Sequence, residues 1–374
     1  MWREVRGTPH RSPGVLPGGD GRGRFLRAVG VSPLTPERAR VTDGDGGDGV
    51  TTLGEFELIA ALASRLDAPP DGIGIGDDAA TWHPTPGMVA VATTDVLVEG
   101  IHFRLDWTTP RDLGWKALAV NLSDVAAMGG RPRHALVSLA MAPDRVETAL
   151  AIYDGLGECA RASGTHVVGG DTVRTTGPLV LNVAVYGEAH PDRLLRRAGA
   201  RPGDLLCVTG TVGASAAGLH LLLGDATVDG ETAAPLLAAH HRPQARLHAG
   251  PALASLGVRA GIDVSDGVAS EAGHLARASG VAIVVDVAAV PIHPMAVRAF
   301  GADRARHLAL TGGEDYELLV ALPPALLDAA RAAVAPETTL TVIGRVGETV
   351  PGGAVSFESG GVPVAPPGKG YVAF

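Results

Sequence analysis

Hydrophobic spacing divides the chain into strands and helices from about Thr52 onward. Thr52 and Glu55 have capping-box spacing, and Ile59, Leu62 and Leu66 then recur on one helical face. GMVAVATTD reads as a strand ending in Asp95. Thr109 and Asp112 cap a long helix with Pro110 in its first position. Leu118, Leu122 and Val125 mark its core stripe, and Gly129 ends it. HALVSLAMA is the next strand. A helix runs from Val146 to Ser163 and stops at Gly164. THVVGGD reads as a short buried strand and LVLNVAVYGEA as an alternating one.

A second series starts near Arg201. DLLCVTG, VRAGIDVSDG, VAIVVDV, DYELLVAL and LTVIGRV read as strands. Helices are expected over SAAGLHLLL, Gln244–Leu256, Val268–Ala278 and Pro324–Ala333. Strands that alternate with helices predict an α/β or α+β fold in two domains, 52–190 and 201–374. Residues 1–51 are rich in Gly, Pro, Arg and Asp and read as a disordered or linker-like extension.

Composition narrows the function. The 374 residues are 46% hydrophobic but only 4% aromatic, so the core must be built from Ala, Val and Leu. A formal net charge of −9 argues against a nucleic-acid partner. No apolar run has the length of a signal peptide or membrane helix, and the two cysteines, Cys159 and Cys207, fit a reducing compartment; the expected location is the cytoplasm. Lysine occurs only at Lys116 and Lys369.

The chemistry lies in the aspartates. Asp77 and Asp78 sit in GIGDDAA, Asp95 follows Thr93 and Thr94 at a strand end, and Asp171 follows two glycines in VVGGD. Asp263 and Asp266 flank Ser265 in IDVSDG, and Glu314 with Asp315 follows the glycines of LTGGEDYELL. Asp124 lies inside an alanine-rich helix, three residues from Asn121, where an acid has poor helix propensity and is costly to bury alone. Carboxylates and hydroxyls are hard ligands suited to Mg2+ and, through it, to phosphates. The glycines of VVGGD allow backbone to approach a ligand closely. TGTVGASAAG has the form of a phosphate-cradling turn, though tight packing explains it as well. No GxxxxGK[ST] is present, and neither is the protein-kinase motif set or a His/Cys zinc pattern.

GIGDDAA, TTDVLVEGIHF, KALAVNLSDVAAMGG, VVGGDTVR, RAGARPGD, VTGTVGASAAGL, HHRPQARL, IDVSDGV and TGGEDYELL occur in this order. The chain from about 53 to 374 thereby resembles the thiamine-monophosphate kinases, within the aminoimidazole ribonucleotide synthetase-like superfamily. The resemblance implies ATP-dependent, Mg2+-assisted phosphorylation of thiamine monophosphate to thiamine diphosphate, in a cleft between two domains. It also implies a homodimer whose N-terminal sheets pair into a barrel and a C-terminal α/β sandwich. By motif position it implies several Mg2+ ions on Asp78, Thr93, Thr94, Asp95, Asp124, Asp171, Asp263 and Asp266, with Asp124 as the central bridge and no catalytic base. Tyr153, Gly170, Asp171, Arg197 and Ser265 match ATP contacts. His102, Glu314 and Gly368 match contacts to thiamine monophosphate; Gly368 departs from a position the family often fills with an aromatic residue. Other enzymes of the superfamily, and a non-catalytic member that binds nucleotide or metal, are the alternatives.

Overall fold

The computed structural model describes residues 53–368. Thr52 and the extension expected over 1–51 lie outside the described residues. Helix α1 (Glu55–Ala63) starts at Gly54, whose N–H donates to the Glu57 side chain at 3.0 Å. The capping residues are therefore Gly54 and Glu57; of the expected face Ile59, Leu62 and Leu66, Leu62 is buried beside Leu58 and Leu66 packs partly buried beyond the helix end.

The first sheet contains β1 (Val89–Val98), β2 (Arg131–Met141), β3 (His166–Arg174) and β4 (Val180–Ala189), in the order β1-β4-β2-β3. Helices α2 (Pro110–Ala127) and α3 (Val146–Ser163) cover one face. Alternation decides which face: Leu181, Val183 and Val185 are buried under the helices, while Asn182, Ala184 and Tyr186 lie on the other side. Thr109 caps α2 by accepting the Asp112 N–H at 3.1 Å, and α3 ends at Gly164 in a left-handed conformation. The two helices cross closely because of Gly114 and Gly155; a Cβ at either would lie 1.9 or 1.8 Å from a carbonyl oxygen of the other helix.

The second sheet is built from β5 (Leu205–Thr209), β6 (Ala260–Asp263), β7 (Val281–Asp286), β8 (Leu318–Leu322), β9 (Leu340–Thr349), β10 (Ala354–Ser359) and β11 (Val362–Val364). Its order is β11-β10-β7-β9-β5-β8-β6, antiparallel except for the β7–β10 pair. Around it lie α4 (Ala214–Leu222), α5 (Gly230–His241), α6 (Ala249–Ser255), α7 (Val268–Ser279), α8 (Pro294–Phe300), α9 (Ala302–Thr311) and α10 (Leu327–Val334). Alternate strand residues pack against α7 and α9 on one face and against α6 and α10 on the other, so the expected sandwich is present.

Three expectations change. Helix α6 begins at Ala249 rather than Gln244: residues 243–246 have no regular structure, and the Arg246 side chain there pairs with Glu317. Helices α5, α8 and α9 and strands β10 and β11 were not anticipated. Strand β3 is buried only at Val167 and Val168, and its GGD end is the sheet's edge. The cysteines are both free and sit in different hydrophobic clusters, where burial pushes each thiol up to about 12. No helix among the described residues is long and apolar enough to cross a membrane.

Candidate active site

A cleft of about 1300 Å³ opens between the two sheets' helical layers, with α2 along its floor. Lys116, Val120 and Asp124 line it from successive turns of one face of α2. Asn121, paired with Asp124 in the sequence reading, is instead fully buried and donates to the Ala117 carbonyl at 3.0 Å.

One end of the cleft gathers acids. Thr93 and Asp95 lie on the helix-covered side of β1, and the Thr93 hydroxyl donates to the Asp124 carboxylate at 2.5 Å. Opposite them, Asp263 ends β6, and Ser265 and Asp266 form the following turn. The Ser123 hydroxyl of α2 donates to Asp263 at 2.7 Å. Burial and then the neighbouring Asp124 push the Asp95 carboxyl up to about 6. Burial, with Asp124 and Asp95 adding, pushes Asp263 up to about 7 against the Ser123 hydrogen bond. Burial raises Asp124 as well, against Thr93 and Arg197. Carboxylates this crowded repel one another unless a cation intervenes. Arg197, from the segment joining the sheets, is the guanidinium that reaches this end.

The donor chemistry fits Mg2+: carboxylate and hydroxyl oxygens, with no sulfur. Among the described residues, no three acidic, histidine or cysteine side chains approach closely enough to cage an ion unaided.

The other end is built by the turn before β8. Backbone hydrogen bonds from Glu314 to Ser265 (2.8 Å) and from Tyr316 to Val264 (2.9 Å) hold this turn against the IDVSDG segment. Glu314 and Tyr316 both have positive φ, 65° and 52°, a strained state for residues with side chains. The Glu314 carboxylate meets Lys116 Nζ at 3.0 Å and His240 Nδ1 at 3.2 Å. Burial alone would raise Glu314, but Lys116 and His240 outweigh it and hold the group at about 2. His102 lines the cleft with its Nδ1 accepting the Val98 N–H at 3.1 Å, and Gly368 lies beside the cleft residue Thr311.

Thr93, Asp95, His102, Asp124, Arg197, Asp263, Ser265, Asp266 and Glu314 therefore share one cleft. Four residues assigned by motif position are placed differently within one copy of the chain. Thr94 borders the cleft, but its hydroxyl turns to the opposite sheet face, donating to the Val183 carbonyl at 3.2 Å and accepting from Asn182 at 2.8 Å. Tyr153 is 5% exposed in the core under α3 and does not line the cleft. Asp78 is exposed on a loop whose Gly74 packs near Val168, at the β3 side of the sheet. Asp171 is exposed on β3, opposite Ser138 and hence on the uncovered face. Gly170 is required by strand packing, since a Cβ there would fall 1.8 Å from the Val137 carbonyl oxygen. The turn before α4 is also no empty cradle: the Asp315 carboxylate already accepts the Gly213 and Ser215 N–H groups, at 2.7 and 3.3 Å.

Sequence reasoning missed Lys116, Ser123, His240 and Glu271. The last is 1% exposed and accepts the Asp266 N–H at 3.0 Å. Lys116 carried the one visible signal, a near-unique lysine two turns before Asp124 on the same helix.

Fold and cleft define an AIR synthase related protein. The family model of the N-terminal domain matches residues 76–189 and that of the C-terminal domain residues 201–355. The chain is 40% identical over 329 residues to the thiamine-monophosphate kinase of Salmonella typhimurium, covering 86% of this chain and 98% of that one. It is similar to the crystal structure of thiamine-monophosphate kinase from Stenotrophomonas maltophilia K279a (TM-score 0.74, 36% identity, 83% of this chain and 98% of that one). It is also similar to a structure of AaThiL complexed with AMPPCP and TMP (TM-score 0.67, 35% identity, 86% and 97%). The chain belongs to the thiamine-monophosphate kinase family.

Proposed function

We propose that this chain transfers the γ-phosphoryl group of ATP directly to the phosphate of thiamine monophosphate, in line, and so makes thiamine diphosphate. The observation that carries the reading is the polarised cleft: acids and one arginine at one end, a fixed ion pair at the other. A relative bound to AMPPCP, an ATP analogue, together with TMP supports placing both compounds in this cleft.

Donor and acceptor are both anionic. Mg2+ held by Asp95, Asp124, Asp263 and Asp266, with Thr93 beside them, would screen their repulsion and neutralise the transferring group. Asp124 takes the central place because its charge acts on both Asp95 and Asp263 and it is oriented by Thr93. Arg197 and Ser265 face the nucleotide. His102 and Glu314 face thiamine monophosphate, with Gly368 at the cleft's edge. The acceptor oxygen is already ionised near neutral pH, so no general base is assigned. Incubation with γ-labelled ATP, Mg2+ and thiamine monophosphate should place the label in thiamine diphosphate; label found only in free phosphate would contradict the reading.

The working unit in this reading is a homodimer. Asp95, Val183, Val137 and Gly170 form one row across the sheet, so Gly170 and Asp171 stand three strands from Asp95, roughly 14 Å at the usual strand spacing. One copy does not bring Asp78 and Asp171 to the other acids; a second copy whose β3 edge meets β1 would. The uncovered face, with Val96 exposed beside Asn182, supports such pairing. Mixing inactive Asp95→Asn and Asp171→Asn proteins under subunit exchange should restore part of the activity; no recovery despite proven exchange would contradict the shared site.

A further inference from the structure

Lys116 has no part in the reaction described above, yet it is buried in the cleft wall and is one of two lysines in the chain. Its ammonium lies 3.0 Å from each carboxylate oxygen of Glu314. The lysine side chain is 6% exposed and that of Glu314 32%, so the carboxylate fronts the cleft and the ammonium stands behind it. His240, from the end of α5, approaches the same carboxylate at 3.2 Å and also meets the Ser215 hydroxyl at 3.1 Å. The Glu314 backbone is held at positive φ by its hydrogen bond to Ser265. With both carboxylate oxygens at 3.0 Å and its side chain 6% exposed, the ammonium is turned toward Glu314 rather than toward a substrate phosphate in the open cleft. A carboxylate fixed from behind, with its exposed side toward substrate, suits a cationic ring.

Resting on the proposed contact between Glu314 and thiamine monophosphate, we infer that Lys116 is a positioning residue: with His240 it fixes the Glu314 carboxylate toward the positively charged thiazolium ring and so sets affinity for that substrate. Three elements meet at this point: α2 supplies Lys116, α5 supplies His240, and the turn before β8 supplies Glu314. The cleft thus presents a directed negative group without leaving the buried ammonium unpaired.

The test is a double-mutant cycle on the full chain, with kcat and both KM values read separately. Lys116→Met should raise KM for thiamine monophosphate about tenfold or more, with KM for ATP changed less than about twofold. Lys116→Arg should recover part of the loss. Glu314→Gln should raise the same KM, and adding Lys116→Met to it should change KM by no more than about twofold further. If Glu314→Gln leaves that KM unchanged, the substrate contact itself is wrong. If Glu314→Gln raises it but Lys116→Met does not, or if the two effects simply multiply, the positioning role is overturned. A rise in KM for ATP with Lys116→Met would place the lysine on the nucleotide instead and overturn it equally.

Discussion

The Ser123 hydroxyl of α2 donates to the Asp263 carboxylate of β6 at 2.7 Å, and both groups are buried. This bond ties the first half of the chain to the second inside the cleft wall. It also orients the acid and opposes, only in part, the burial that raises its carboxyl to about 7.

Ser123→Ala should therefore destabilise the protein by about 1–3 kcal/mol, the cost of leaving a buried polar partner unsatisfied. Urea unfolding of the two proteins measures this. Nucleotide affinity in the presence of Mg2+ should fall in the same variant, because Asp263 loses its fixed direction.

Asp124→Asn should lower kcat by about a thousandfold or more while leaving the melting temperature within a few degrees of the parent protein. Thr93→Val removes the hydroxyl that orients Asp124. It should raise the Mg2+ concentration needed for half-maximal turnover by about tenfold, the usual scale for a group acting behind a metal ligand. Steady-state rates against Mg2+ concentration separate the two effects. Near-normal turnover of Asp124→Asn would remove Asp124 from the centre of the site.

Arg246, partly exposed, forms a bidentate pair with the buried Glu317 carboxylate, with the Arg246 Nε at 2.6 Å and Thr209 donating to the same carboxylate at 2.6 Å. Arg246→Met leaves that carboxylate buried without its cation, and should cost about 3–5 kcal/mol. Pairing it with Glu317→Gln should return part of the loss. Denaturation midpoints of the single and double variants check this.

Glu314 gives a pH dependence with a definite sign. Its folded value of about 2 lies below the ordinary 4.5, so the ionised form is favoured by folding. The stabilisation is complete above about pH 4.5 and is lost as pH falls toward 2. Between pH 5 and 3 the parent protein should thus lose more stability than Glu314→Gln. Parallel losses in the two proteins would show that Lys116 and His240 do not hold the carboxylate ionised.

The long regular elements were legible in the sequence. Helix α3 runs from Val146 to Ser163 as read, and α2 has the expected Thr109 cap, because caps, glycine stops and an uninterrupted apolar stripe act locally. Local signals failed where distant contacts decide. Arg246 lies in an irregular segment and pairs with Glu317, 71 residues away, and no nearby residue announces it. Asp171 and Asp95 read alike, as acids at strand ends. Only the sheet order reveals that they stand at opposite edges, because strand order is set by long-range pairing. Thr93 and Thr94 are adjacent in sequence, and the two-residue period of a strand sends their hydroxyls to opposite faces. Lys116 and Glu314 lie 198 positions apart, so their ion pair could not be read from either neighbourhood.

Calorimetric titration of the nucleotide into the parent protein and into Asp124→Asn, each with and without Mg2+, tests the acid cluster most directly. The parent should bind AMPPCP at least about tenfold more tightly when Mg2+ is present, and Asp124→Asn should lose most of that gain. Equal affinity in the parent protein with and without the ion would contradict the account.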